Sequence, residues 1–218
     1  MARIEALVPA AGSGERFGGF KQFYEIKGLP ILIHTLKQID GIDAINRVVV
    51  VAPPGERSRV ERLIDRFGIR KVKAVVKGGR RRIDSVRAGL AEIRARMVII
   101  HDAVRPLASK RLFKRVIRRM ATDPAVIPIL PVRDTIKEVR RGWVIRTLPR
   151  EGLFLVQTPQ GFWTKVLREA LRRAPDIDYT DEAAVLESTG VGVRTVAGEL
   201  ANLKVTEQKD IQLLLRLL

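Results

Sequence analysis

Short apolar runs alternate with amphipathic stretches along the first 130 residues of the chain. The runs Ile4 to Val8, Val48 to Ala52, Val72 to Val76, Val98 to His101 and Ala125 to Val132 are each bounded by Gly, Pro or charge. Between them, residues near 30–39, 56–66, 84–95 and 109–121 carry helical spacing. Apolar runs of this length, separated by helices, predict an α/β fold of βαβ units, with a parallel sheet covered on both faces. The last helix has the sharpest pattern. Leu112, Phe113, Val116, Ile117 and Met120 recur at helical spacing, while Lys110, Lys114 and Arg118, and also Arg111, Arg115 and Arg119, form two adjacent rows.

After Val132 the period shortens. Thr135 to Val139 and Trp143 to Leu148 alternate and meet at Arg140-Arg141-Gly142, which predicts a β-hairpin arm at about 133–152. Thr180 is placed to cap a helix carrying Asp181 and Glu182 in its positive first turn and ending before Gly190. A strand near 193–197 and a Leu-rich helix from about 207 close the chain. A length of 218 residues without repeat or linker predicts a single domain, 1–218, with the arm as an appendage.

Composition narrows the chemistry. No apolar run approaches the roughly 18 residues of a membrane span, and the N-terminal residues lack the order of a secretory signal, so the expectation is a cytoplasmic protein with no membrane partner. The chain has no cysteine and only two histidines, His34 and His101, far apart in sequence. Thiol nucleophiles, iron–sulfur clusters and Cys/His zinc sites are thereby excluded. The net charge is +17, and residues 66–119 hold 18 basic and 3 acidic side chains, so an anionic partner is expected.

Three segments at strand ends carry candidate chemistry. The first, Pro9-Ala10-Ala11-Gly12-Ser13-Gly14-Glu15-Arg16-Phe17-Gly18-Gly19-Phe20-Lys21-Gln22, follows the first strand. Glycines there, Gly12 and Gly14 among them, let backbone N–H groups approach a phosphate at the edge where open α/β sheets bind ligands. The spacing is neither the dinucleotide fingerprint nor a Walker A loop. Arg16 and Lys21 are placed to meet the anion; the alternative is a tight turn. The second, Gly78-Gly79-Arg80-Arg81-Arg82-Ile83-Asp84-Ser85-Val86, could accept a flat ligand, with Ser85 either bonding a base edge or serving as a helix-start hydroxyl, and with the Arg run either functional or solvated. The third is His101-Asp102-Ala103-Val104-Arg105-Pro106. Asp102 suits a Mg²⁺ ligand and Arg105 a phosphate fork, or else Asp102 caps the next turn with Arg105 as its partner. His101 reads as structural.

In order along nearly the whole chain, these segments join Pro131-Val132-x-Asp134-Thr135-x-Lys137, Gln157-Thr158-Pro159-Gln160-x-Phe162, Thr180-Asp181-Glu182-Ala183 and Lys204-Val205-Thr206. The set resembles the 2-C-methyl-D-erythritol 4-phosphate cytidylyltransferase family. The resemblance implies a Rossmann-like, mostly parallel α/β fold and a nucleotidyltransferase that joins CTP to a polyol phosphate and releases pyrophosphate. It also implies Mg²⁺ or another divalent cation, and a homodimer with exchanged β-arms. It assigns Arg16 and Lys21 to the triphosphate, and Ala10, Ala11, Gly79 and Ser85 to the cytosine pocket. Asp102, Ala103, Arg105, Thr180 and Lys204 fall to the polyol phosphate or metal region, and Thr135 and Arg150 to the partner subunit's site. The chain departs from the family pattern at Phe20, Arg80 and Val104.

The residue types agree with that chemistry. A phosphate monoester carries about −1.5 to −2 charges at pH 7 and needs no general base, whereas two anions brought together need Lys, Arg and a divalent metal. Two rival readings follow from the sequence: a ribitol 5-phosphate cytidylyltransferase, which shares most motifs, and a basic nucleic-acid-binding protein. Aromatic residues at 5% of the chain, not interleaved with the basic stretches as a base-stacking surface would require, argue against the nucleic-acid reading.

Overall fold

The computed structural model describes residues 3–218. In chain order the strands and helices are β1 (Ile4–Pro9), β2 (Glu25–Ile26), β3 (Leu29–Pro30), α1 (Ile31–Asp40), β4 (Ile45–Ala52), α2 (Arg57–Arg66), β5 (Val72–Lys77), α3 (Arg82–Glu92), β6 (Met97–Ile100) and α4 (Lys110–Arg119). They continue as β7 (Ala125–Pro131), β8 (Ile136–Arg140), β9 (Trp143–Leu148), β10 (Phe154–Val156), β11 (Gln160–Trp163), α5 (Thr164–Arg173), α6 (Glu182–Ser188), β12 (Arg194–Ala197) and α7 (Lys209–Leu217).

One eight-stranded sheet organises these elements. β1 lies parallel between β4 and β6, with Leu7 opposite Val49 and Ile100, and β5 extends the parallel set beyond β4. Past β6 the direction changes, because β11 runs antiparallel between β6 and β7. β10 is antiparallel to β7, and β12 is parallel to it. Successive strand residues point to opposite faces, so each strand feeds two cores. Ala6, Val8, Val48, Val50 and Ile99 pack with Leu32, Leu36, Leu112, Phe113 and Val116 on one side. Leu7, Val49, Val51 and Ile100 pack with Val86, Leu90, Phe162, Leu167 and Leu186 on the other. The sheet covered on both faces is therefore as the periodicity predicts.

The differences from the pattern-based expectation are local. α5 and β11 go unannounced by the apolar runs. β11 has four residues and sits directly before the helix, too short for a period to register. The cap of α6 is Asp181 instead of Thr180: its carboxylate accepts from the Ala184 N–H at 3.0 Å, a stronger acceptor one residue further along. β8 and β9 form a two-stranded sheet of their own, closed through Arg141 and Gly142, both at positive φ. Its apolar residues Val139, Trp143, Val144 and Ile145 are exposed.

Candidate active site

The carboxyl ends of β1, β4, β5 and β6 open into a cleft, and the loop after β1 forms its first wall. The Ala10 N–H donates to Val51 O at 2.8 Å, tying the loop to β4. Gly14, at φ +73°, turns the chain so sharply that a Cβ there would lie 1.8 Å from Gly19 O. The amides of Phe17, Gly18 and Gly19 converge on the Gly14 carbonyl at 2.8, 3.0 and 3.2 Å. Buried Gln22 closes the loop from inside, its amide donating to Ala10 O at 2.8 Å and Gly12 O at 3.2 Å. Phe17 anchors the loop in a small core with Ile26, Val104, Val205, Ile211 and Leu214.

The loop after β5 forms the second wall. Gly78 lets it pass close to the first, since a Cβ there would lie 2.3 Å from the Cβ of Ala11. Ser85 is buried, accepts from the Gly79 N–H at 3.1 Å and lies 3.3 Å from Arg81 O, so its hydroxyl shapes the loop while facing the cleft. Arg81 caps α3 and pairs with Asp84 and Asp176.

Asp102, after β6, is the centre of the charged floor. Its carboxylate takes Lys204 at 3.1 Å and Arg105 at 3.2 Å on one oxygen and Arg82 at 3.7 Å on the other. Burial alone would raise this carboxyl; Lys204, Arg82 and Arg105 outweigh burial and hold it well below the ordinary range. Lys204 is steadied from both sides: the Val205 N–H donates to Val104 O at 3.0 Å, and Arg105 donates to Asn202 O at 2.9 Å. Arg82 forks onto both oxygens of Glu182, a fully buried carboxylate. Burial pushes the Glu182 carboxyl up, against the lowering charge of Arg82.

His101 is buried beneath this floor. Its Nε2 faces Arg105 O at 3.1 Å, an acceptor, so Nε2 carries the proton and Nδ1 accepts from the Thr158 hydroxyl at 2.9 Å. Burial lowers its pKa to about 4. The imidazole is neutral and fully engaged, as the structural reading has it.

The cleft has two lobes. One, of about 450 Å³, is lined by Ala10, Ala11, Gly12, Lys21, Gly79, Ser85 and Ala103. The other, of about 330 Å³, is lined by Arg105, Gln157, Thr158, Gln160, Thr180 and Asp181. Arg82, Asp102 and Lys204 stand in the walls of both. Lys21 is half-buried, and its pKa is lowered by burial first and then by Lys204 and Arg16, although Asp102 and Asp210 oppose. This is a cation held where a polyanion would relieve it.

Ala10, Ala11, Gly12, Lys21, Gly79, Ser85, Asp102, Ala103, Arg105, Thr180 and Lys204 are thus gathered at one cleft. Arg16 is exposed on the loop's outer turn and reaches the site through its charge on Lys21, and Gly14 shapes the loop from behind. Thr135 and Arg150 are not brought in: both are exposed at the base of the hairpin, where Arg150 donates to Arg133 O. Arg82 and Glu182 join the site, although in sequence Arg82 reads as one of three consecutive arginines that could equally be solvated. Its signal is the helical row it shares with Ser85, Val86 and Gly89, all buried.

Comparison with known proteins gives concordant matches. The IspD family model, described as 2-C-methyl-D-erythritol 4-phosphate cytidylyltransferase, matches residues 4–216. The enzyme of that name from Pelotomaculum thermopropionicum is 40% identical over 219 residues, covering 97% of this chain and 92% of the relative. Its counterpart from Syntrophus aciditrophicus is 36% identical over 217 residues, covering 96% and 93%. The crystal structure of the Thermus thermophilus enzyme superposes with a TM-score of 0.85 at 32% identity, covering 100% of this chain and 98% of that one.

Proposed function

The chain belongs to the 2-C-methyl-D-erythritol 4-phosphate cytidylyltransferase family, and from that premise we propose how its residues carry out the reaction. It transfers CMP from CTP to 2-C-methyl-D-erythritol 4-phosphate, giving 4-diphosphocytidyl-2-C-methyl-D-erythritol and pyrophosphate, a step of non-mevalonate isoprenoid synthesis. The observation that carries the assignment of roles is the two-lobed cleft with Arg82, Asp102 and Lys204 common to both walls. A two-substrate transfer needs such a boundary, where one reactant from each lobe meets the other.

In the larger lobe, the small residues Ala10, Ala11 and Gly79 leave room for a pyrimidine, with Ser85 and the loop backbone as its polar contacts. The loop amides of Gly12 to Gly14, with Lys21 and Arg16, take the triphosphate. In the smaller lobe, Arg105, Thr180 and Lys204 take the polyol phosphate, and Ala103 and Asp102 line the boundary. An oxygen of the polyol phosphate attacks the α-phosphorus of CTP. The bond from that phosphorus to the bridging oxygen breaks, and pyrophosphate leaves with the electron pair. The attacking oxygen is already deprotonated, so no side chain serves as general base. The work of the chain is to hold two anions together and neutralise charge as it builds, which falls to Lys21, Arg16 and Lys204.

A divalent cation, Mg²⁺ by its chemistry, fits here as a guest of the triphosphate. Among the described residues no group of three or more His, Asp or Glu side chains is gathered to hold a metal. Asp102 is the carboxylate that lines the nucleotide lobe, and its oxygens already face Lys204, Arg105 and Arg82. It would be the single protein ligand, with phosphates and water completing the shell, and the ion would neutralise phosphate charge.

We further infer that residues 1–218 act as one domain in the cytoplasm, and as a homodimer. No helix among the described residues is long and apolar enough to cross a membrane. The exposed Val139, Trp143, Val144 and Ile145 of the hairpin favour an arm seated on a second copy, carrying Thr135 and Arg150 to that copy's site. The test of the activity is pyrophosphate release with each of four nucleoside triphosphates, against methylerythritol phosphate and ribitol 5-phosphate. CTP with methylerythritol phosphate is expected to be the productive pair; equal kcat/KM for ATP, or a preference for ribitol 5-phosphate, would overturn it.

A further inference from the structure

Among the described residues, Arg82 is the one guanidinium that pairs with both Glu182 and Asp102. It opens α3, forks onto both oxygens of Glu182 at the start of α6, and lies 3.7 Å from Asp102. Stability is a weak reason for such an arrangement. Buried ion pairs recover little more than the cost of taking both charges out of water, and an apolar pair of similar volume commonly does as well. Glu182 does something an apolar residue would not: it occupies both arms of the fork and so fixes where the guanidinium stands between the two lobes. From there Arg82 faces the Asp102 oxygen opposite the one taken by Lys204 and Arg105.

Building on the two-lobe reading above, we propose that Arg82, clamped by Glu182, is a positioning residue for the transfer step. It sets the orientation of the Asp102 carboxylate and, through it, the ammonium of Lys204 at the boundary where the polyol phosphate meets CTP. The charge on Arg82 matters less here than its fork. A lysine keeps buried Glu182 paired with a cation but cannot span Glu182 and Asp102 together.

The experiment compares the parent with Arg82→Lys and Glu182→Gln in three measurements: thermal unfolding, equilibrium CTP binding without polyol phosphate, and steady-state kinetics. Both variants are expected to fold and to bind CTP within about threefold of the parent. Their kcat should fall by roughly 10²-fold, the scale of a misplaced reactant. Because Arg82 acts through Asp102, the double variant Arg82→Lys/Asp102→Asn should be no slower than Asp102→Asn alone. Turnover within threefold of the parent in the folded variants overturns the proposal. So do losses that multiply in the double variant, or a fall in kcat matched by an equal fall in CTP affinity. Should Arg82→Lys fail to fold, Glu182→Gln carries the same comparison, paired with Asp102→Asn. A parent that releases no pyrophosphate from CTP and methylerythritol phosphate would overturn the functional reading itself; an active parent with unaffected variants removes only the role of Arg82.

Discussion

Two basic regions of the molecule use the same residue types to different ends. On the outer face of α4, Arg111, Lys114, Arg115, Arg118 and Arg119 line an open hollow of about 820 Å³. Arg119 pairs with Asp123 at 2.7 Å and Arg115 approaches Glu199 at 3.7 Å, while Arg111, Lys114 and Arg118 stand in solvent with no carboxylate in ion-pair reach among the described residues. In the cleft, Arg82, Arg105 and Lys204 crowd a single buried carboxylate, and Lys21 is left half-buried beside other cations. Charge density is high in both places. What separates them is water: a solvated cation is screened and exchangeable, whereas one held in a partly dry cleft exerts its field on whatever enters. Counting arginines along the sequence therefore points to α4 as strongly as to the site, and burial beside a fixed carboxylate distinguishes them.

The largest test of this contrast is Lys21→Ala. If its ammonium meets charge that develops in the transition state, kcat should fall by about 10²- to 10³-fold, with thermal stability unchanged or slightly improved because a desolvated cation is removed. Turnover within twofold would erase the distinction between the two regions. The same variant tests the arm: subunits of Lys21→Ala mixed with Arg150→Ala should regain one competent site per heterodimer. Inactive mixtures with proven subunit exchange would return Arg150 to a surface role.

His101 sharpens the contrast from beneath the floor, where the interior tolerates no further positive charge. Its folded pKa of about 4 lies below the ordinary value of about 6.5. Between those values the unfolded chain takes up a proton that the folded chain refuses. The stability that His101 contributes is therefore complete above about pH 6.5 and is lost as pH falls toward 4, by roughly 3 kcal/mol. Urea midpoints measured across that range should fall more steeply for the parent than for His101→Asn. Parallel curves would mean that the imidazole is not held neutral.

The smallest effect belongs to α4. Replacing Arg111, Lys114 and Arg118 together with Gln should leave kcat within about twofold and cost no more than about 0.5 kcal/mol per site. A rise in the KM for CTP should appear only at low ionic strength, where long-range attraction of anions is unscreened. A large loss of turnover at physiological salt would make α4 part of the machinery.

Much of this was legible in the sequence, for physical reasons that also mark where it stopped. Strands β1, β4, β5, β6 and β7 announce themselves because a strand covered on both faces is mostly apolar, as Val48–Ala52 is, whereas the two-residue strands β2 and β3 are too short to register. β11 hides because four residues between Pro159 and a helix show no period, although their buried faces complete the sheet. The loops that wall the cleft could be located from Gly12, Lys21 and Gly79, because glycines and cations gathered at strand ends mark the edge where an open α/β sheet opens to ligands. The partnership of Arg82 with Glu182 could not be read in this way, since it joins residues 100 positions apart.

The attachment of the loop after β1 has a consequence for when the enzyme comes into being. Phe17 packs against Ile211 and Leu214 of α7, and its carbonyl accepts from the Gln208 side chain, 191 residues later in the chain. A growing polypeptide can pair β1, β4, β5 and β6 early, since these neighbours lie within the first 100 residues. The loop bearing Arg16 and Lys21 is tied at its base to β4 early, but the contacts of its outer turn with α7 wait until that helix has been made. Competence thus waits for α7, and a nascent chain carries the paired strands β1, β4, β5 and β6 well before it can hold a nucleotide.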